Sequence, residues 1–162
     1  MRLVPSVVSF MSPYSAARSA ARARVLMVDD NSLGLSARKS MLEELGHSVS
    51  SVSSAEDAMA QLSDASFDLI VTDYKLPGIT GGDMIAKLRA QGVATPIILL
   101  SGYVDALGLD EQSTGADVVL QKSANEANHL VRSVKNLLRR GAIVRKPMGA
   151  DKPSASKLRK KA

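Results

Sequence analysis

Hydrophobic and polar positions follow two alternating periods between residues 24 and 140. VLMV (25–28) is a short apolar run ending in two acids. Residues 31–45 then place Leu35, Met41, Leu42 and Leu45 at helical spacing, with Gly46 set to end the helix. HSVSSV (47–52) alternates and reads as a weak strand. Ser53 and Glu56 fit a capping box before Ala55, Ala58, Met59 and Leu62. DLIVTD (68–73) reads as a buried strand ending in an acid. After a Pro-Gly turn, 82–90 reads as a helix. TPIILLS (95–101) is the most apolar strand. VDALGLDEQSTG (104–115) reads as one poor helix interrupted by Gly108. DVVLQK (117–122) reads as a fifth strand. The last helix, 125–140, carries Leu130, Val134, Leu137 and Leu138 on one side. Five rounds of strand and helix with continuous apolar strands predict an α/β fold. Its sheet is doubly wound, parallel and five-stranded, with helices on both faces.

Composition adds limits. The chain has 162 residues, 45% hydrophobic and 23% charged, enough for one ordinary core. It has no cysteine, so disulfide, zinc-thiolate, iron–sulfur and cysteine-nucleophile chemistry are excluded. Its two histidines, His47 and His129, give no His-based metal pattern. No apolar run approaches the roughly 18–20 residues that span a bilayer. The net charge of +5 belongs to the ends. Residues 25–138 hold eight basic and fifteen acidic residues, so the expected domain is acidic.

Ligands of such sheets bind at the carboxyl ends of the strands. Here the first strand ends in Asp29-Asp30, the third in Asp73, the fourth in Ser101-Gly102 and the fifth in Lys122. Three converging carboxylates raise one another's pKa unless a cation is present. Oxygen donors without His or Cys suit a hard ion, and Mg²⁺ takes one or two carboxylates and is completed by phosphate. Asp73 is the candidate nucleophile for an aspartyl phosphate. Asp29 and Asp30 are candidate metal holders, with the Lys75 main-chain carbonyl as a further ligand. Ser101 and Lys122 are candidate donors to a phosphoryl group, and Gly102 leaves room beside it. Singly, each residue has a plain structural reading; Asp30 or Asn31, for example, can simply cap the first helix. It is the coincidence at four strand ends that points to chemistry.

The segments VLMVDDN (25–31), LIVTDYKLPGITGGDM (69–84), PIILLSGY (96–103) and GADVVLQK (115–122) resemble the receiver domain of two-component response regulators. The resemblance covers about 24–140 and implies the flavodoxin-like sheet order 2-1-3-4-5. It implies that Asp73 is the phosphoacceptor, that Asp29, Asp30 and the Lys75 carbonyl hold Mg²⁺, that Ser101 is the switch hydroxyl and that Lys122 contacts the phosphoryl oxygens. The donor it implies is a sensor histidine kinase or a phosphotransfer protein. Two positions depart from the family pattern. Ser123 stands where proline usually follows the lysine, and Val119 stands where an aromatic switch residue is common. Tyr103 is the candidate replacement for that aromatic.

Residues 1–23 are expected to be a disordered extension rather than a targeting peptide, since Pro5, Ser6 and Ser9 interrupt the apolar stretch. Residues 141–162 are expected to be a basic disordered tail, too short for a DNA-binding domain. The expected function is a stand-alone cytoplasmic response regulator, a signalling switch rather than an enzyme, with no membrane partner. It assists its own phosphorylation and dephosphorylation and signals to a downstream protein as a monomer or weak homodimer. The alternatives are a phosphorylation-independent protein-binding module and, through the tail, nucleic-acid binding. A phosphohydrolase is disfavoured because Lys75 occupies the position where a second, general-acid Asp would be expected.

Overall fold

The computed structural model describes residues 22–145. Five strands are built from β1 (Arg24–Val28), β2 (Ser48–Val52), β3 (Leu69–Asp73), β4 (Ile97–Ser101) and β5 (Val118–Gln121). The helices are α1 (Ser32–Glu44), α2 (Ala55–Asp64), α3 (Gly81–Ala90), α4 (Val104–Leu107), α5 (Glu111–Thr114) and α6 (Glu126–Arg145). All strand pairs are parallel and the sheet order is β2-β1-β3-β4-β5. The chain first winds from β1 to β2, then returns to the other side of β1 with β3. The carboxyl ends of β1 and β3 therefore lie side by side at the point where the winding reverses, the usual place for a site in this architecture.

Strand alternation divides the core into two layers. Val25, Met27, Leu69, Val71, Ile98 and Leu100 pack with Leu42 of α1 and Leu130, Val134 and Leu137 of α6. Leu26, Val28, Ile70, Ile97 and Leu99 pack on the opposite face with Ala55 and Ala58 of α2 and Met84, Ile85 and Leu88 of α3. The buried positions of α6 recur at intervals of four and three, as the sequence predicts. Leu45 does not join the core; it caps α1 and is exposed.

Local sequence explains the boundaries. Asn31 caps α1 by accepting from the Gly34 N–H at 3.0 Å. At the other end Gly46 donates to the Glu43 carbonyl and His47 to the Leu42 carbonyl, with Gly46 at φ +94°. That pair of bonds is the Schellman arrangement, which needs a left-handed residue. The expected Ser53–Glu56 box lies one residue off: Ser54 caps α2 and accepts from the Asp57 N–H. Both pairs have the same spacing, and serines at 53 and 54 make the register ambiguous in sequence. The single poor helix expected over 104–115 is two short helices. Gly108 takes φ +59° and ends α4, and Asp110 starts α5 by accepting from the Ser113 N–H. The last strand stops at Gln121, which leaves Lys122 just beyond it.

Among the described residues, packing begins at Ala23, which is buried and whose carbonyl accepts from the Ser48 N–H. At the other end α6 continues past 140 to Arg145. The expectations for residues 1–21 and 146–162, including the basic tail, lie outside the described residues. Among the described residues, no helix is long and apolar enough to cross a membrane.

Candidate metal centre at the sheet edge

The three acids predicted to converge do so. Carboxylate oxygens of Asp29, Asp30 and Asp73 lie within 4.8 Å of one another. Asp29 follows β1 and is buried, Asp30 is exposed, and Asp73 closes β3 with only 6% of its surface accessible. The open side of the cluster is therefore the Asp30 side.

Two cations of the chain offset this charge. The Lys122 Nζ lies 2.9 Å from Asp73 Oδ2 and 4.0 Å from Asp29 Oδ2. Its backbone N–H donates to the Ser101 carbonyl, which fixes the start of its side chain beside β4. No cis peptide bond occurs among the described residues, so Lys122 reaches Asp73 across a trans bond to Ser123. The second cation is Arg38 of α1. Its Nη1 donates to Asp29 Oδ2 at 2.6 Å, and its Nε donates to Glu126 at the start of α6. The other Asp29 oxygen accepts from the Asn31 N–H at 2.9 Å.

Burial pushes the Asp73 carboxyl above its ordinary value. The hydrogen bond and charge of Lys122 oppose that rise, the Asp29 charge adds to it, and the Lys75 N–H lowers it. The net direction is upward, with burial as the largest cause. Three oxygen donors, two of them buried and none of them His or Cys, fit a hard divalent cation such as Mg²⁺. Lys75 is placed next to Asp73 by its backbone, and its side chain is exposed.

Ser101 ends β4 and is buried, and its Oγ accepts from the Tyr103 N–H at 3.1 Å. Gly102 has open space where a Cβ would lie. Tyr103 is 61% exposed. Val119 is half-buried against the core layer that holds α2 and α3.

Sequence reasoning missed two residues here. Arg38 falls between Leu35 and Leu42 at the same helical spacing, and a cation on an apolar stripe is a signal in itself. Gln121 sits at the end of β5. Its Nε2 donates to the Gly102 carbonyl at 2.8 Å and its Oε1 accepts from the Val104 N–H at 3.1 Å. It thus pins the loop after Ser101. No local pattern announces that bridge, because its partners lie about twenty residues away, in the loop after β4 and at the start of α4.

Residues 25–135 match the family described as the response regulator receiver domain. The chain belongs to this family. Receiver domains are signalling switches. The transcriptional regulatory protein TcrA of Mycobacterium tuberculosis is 36% identical over 128 residues, covering 76% of this chain and 49% of TcrA. The chain spans half or less of the length of the first curated relatives it matches. Among solved structures, the response regulator TrrA of Thermotoga maritima, in complex with Mg²⁺ and a beryllium fluoride, aligns with a TM-score of 0.63 at 29% identity. That match covers 70% of this chain and 97% of TrrA. The receiver domain of a Francisella response regulator aligns with a TM-score of 0.66 at 27% identity, covering 73% and 98%. The receiver fold and its sheet order are therefore shared with proteins of this class.

Proposed function

We propose that this receiver domain accepts a phosphoryl group on Asp73 and passes the change to another protein through altered contacts. The observation that carries the reading is the Lys122 ammonium held 2.9 Å from Asp73 within a trio of carboxylates at the winding reversal. A buried aspartate flanked by a cation and by oxygen donors can act as nucleophile while the charge on an incoming phosphoryl group is neutralised.

The donor in this reading is a phosphohistidine on a sensor kinase or phosphotransfer protein. An Asp73 carboxylate oxygen forms a bond to phosphorus, and the phosphorus–nitrogen bond breaks with its electron pair going to the imidazole. Asp29, Asp30, Asp73 and the Lys75 main-chain carbonyl would hold Mg²⁺, which neutralises phosphoryl charge when bound. Lys122 contacts the phosphoryl oxygens in place of the Asp73 carboxylate. Ser101 can donate its own proton to the phosphoryl group while its oxygen still accepts from the Tyr103 N–H, since a hydroxyl does both. That pair of bonds, with Gln121 holding Gly102 and Val104, couples the site to the loop leading into α4. The same water hydrolysis that such sites assist would reset the switch. The reading places the domain in the cytoplasm, where kinase and Mg²⁺ are available.

Thermal unfolding with Mg²⁺, beryllium and fluoride tests this. The wild type is expected to melt higher with all three than with Mg²⁺ alone, and Asp73→Asn is expected to show no such gain. If the wild type shows no gain either, a phosphorylation-independent binding module becomes the better reading, as the non-aromatic Val119 would allow.

A further inference from the structure

Arg38 is unusual for its place. Its guanidinium is largely buried, comes from the apolar side of α1, and bridges two carboxylates from different parts of the chain. One is Asp29, a member of the acid trio. The other is Glu126, in the first turn of α6. Both acids raise the basicity of Arg38 against the opposing effect of burial. The contact uses Asp29 Oδ2, while Oδ1 is already engaged by the Asn31 N–H. Each oxygen of this carboxylate thus carries a protein donor, and the one nearer Lys122 carries the charged one.

We propose that Arg38 is a resident counter-ion that competes with Mg²⁺ for Asp29, with Glu126 as the partner that takes Arg38 over when the metal binds. This rests on the metal reading of the trio given above. Two cations cannot share one carboxylate oxygen without repulsion, so binding at Asp29 weakens the Arg38 contact. Displacement into an apolar layer would be costly, because a largely buried guanidinium needs a paired carboxylate. Glu126 removes that cost by staying in contact. Arg38 is thus a positioning residue with two partners, and metal occupancy is linked to the first turn of α6. By reciprocity, a protein that draws Glu126 away from Arg38 weakens Mg²⁺ binding to the same extent that Mg²⁺ weakens its own docking.

Calorimetric titration of the full chain with Mg²⁺ alone decides the matter. Arg38→Met, which keeps the packed stem, is expected to tighten Mg²⁺ by about tenfold, the scale of one lost charge-assisted competitor. Arg38→Lys should lie between it and the wild type. Lys39→Met, which removes a charge one residue away that pairs with Glu43 and not with the trio, should leave affinity within about twofold. The sharper arm is a double-mutant cycle. Glu126→Gln is expected to weaken Mg²⁺ by about threefold in the wild-type background, because Arg38 then has Asp29 alone. In the Arg38→Met background it should have no effect. The proposal is overturned if Arg38→Met binds no tighter than the wild type. It is equally overturned if Glu126→Gln acts equally in both backgrounds, since that is direct electrostatics. If the wild type and all variants bind no Mg²⁺, the metal reading fails and takes this inference with it.

Discussion

Lys122 reaches Asp73 although serine, not proline, follows it. The trans bond to Ser123 leaves its ammonium 2.9 Å from Asp73. Replacing it with alanine removes one preorganised charge from the phosphoryl site. The expected result is a drop of about 10²-fold in the rate of Asp73 phosphorylation by a small phosphodonor, with Mg²⁺ binding retained. His47 offers a separate handle on stability. Its Nδ1 accepts from the Ala23 N–H, and burial holds its pKa below the ordinary 6.5. The folded state therefore favours the neutral ring, and the unfolded chain takes up protons first as pH falls. Stability should decline as pH drops through 6.5 and level off once the folded ring is also protonated. Urea midpoints at neutral and mildly acidic pH should show a smaller loss for His47→Gln than for the wild type. An equal loss would place the sensitive group elsewhere.

At the scale of elements, Gly81 is the position with least freedom. A Cβ there would lie 2.1 Å from the Asp73 carbonyl oxygen, so α3 can start this close to β3 only with glycine. Its N–H also donates to the Tyr74 carbonyl at 2.7 Å. Gly81→Ala should cost about 2 kcal/mol by forcing backbone apart, read as a lower denaturation midpoint at unchanged slope. Most elements were legible because their signals are local: the apolar runs of β1, β3 and β4, the Asn31 cap and the Gly46 stop. The errors were also local ambiguities. Ser53 and Ser54 both offer a cap with an acid three residues on, and only packing chose Ser54. Gly108 was visible as a flaw in a helix, but its left-handed φ, which divides α4 from α5, was not. Arg38 and Gln121 act across elements, so their roles required the fold.

At the scale of the molecule, the fold gathers three carboxylates at one edge of an otherwise well-packed sheet. Asp73 is pushed toward its protonated form by burial and by Asp29, and Lys122 only partly offsets this. Under the proposed function, the domain gains from a cation and then from a phosphoryl group. A switch built this way needs only a modest difference in affinity between two states to change which partner it binds. Strand ends from four separate places in the chain had to meet for this, and the alternation of strand and helix was enough to foresee that they would. The central claim is that Asp73 is the acceptor. It is tested most directly by intact-protein mass after incubation with acetyl phosphate, with and without Mg²⁺, for the wild type and Asp73→Asn. A Mg²⁺-dependent gain of about 80 Da, one phosphoryl group, is expected in the wild type and none in Asp73→Asn. A gain of the same size in Asp73→Asn would contradict it.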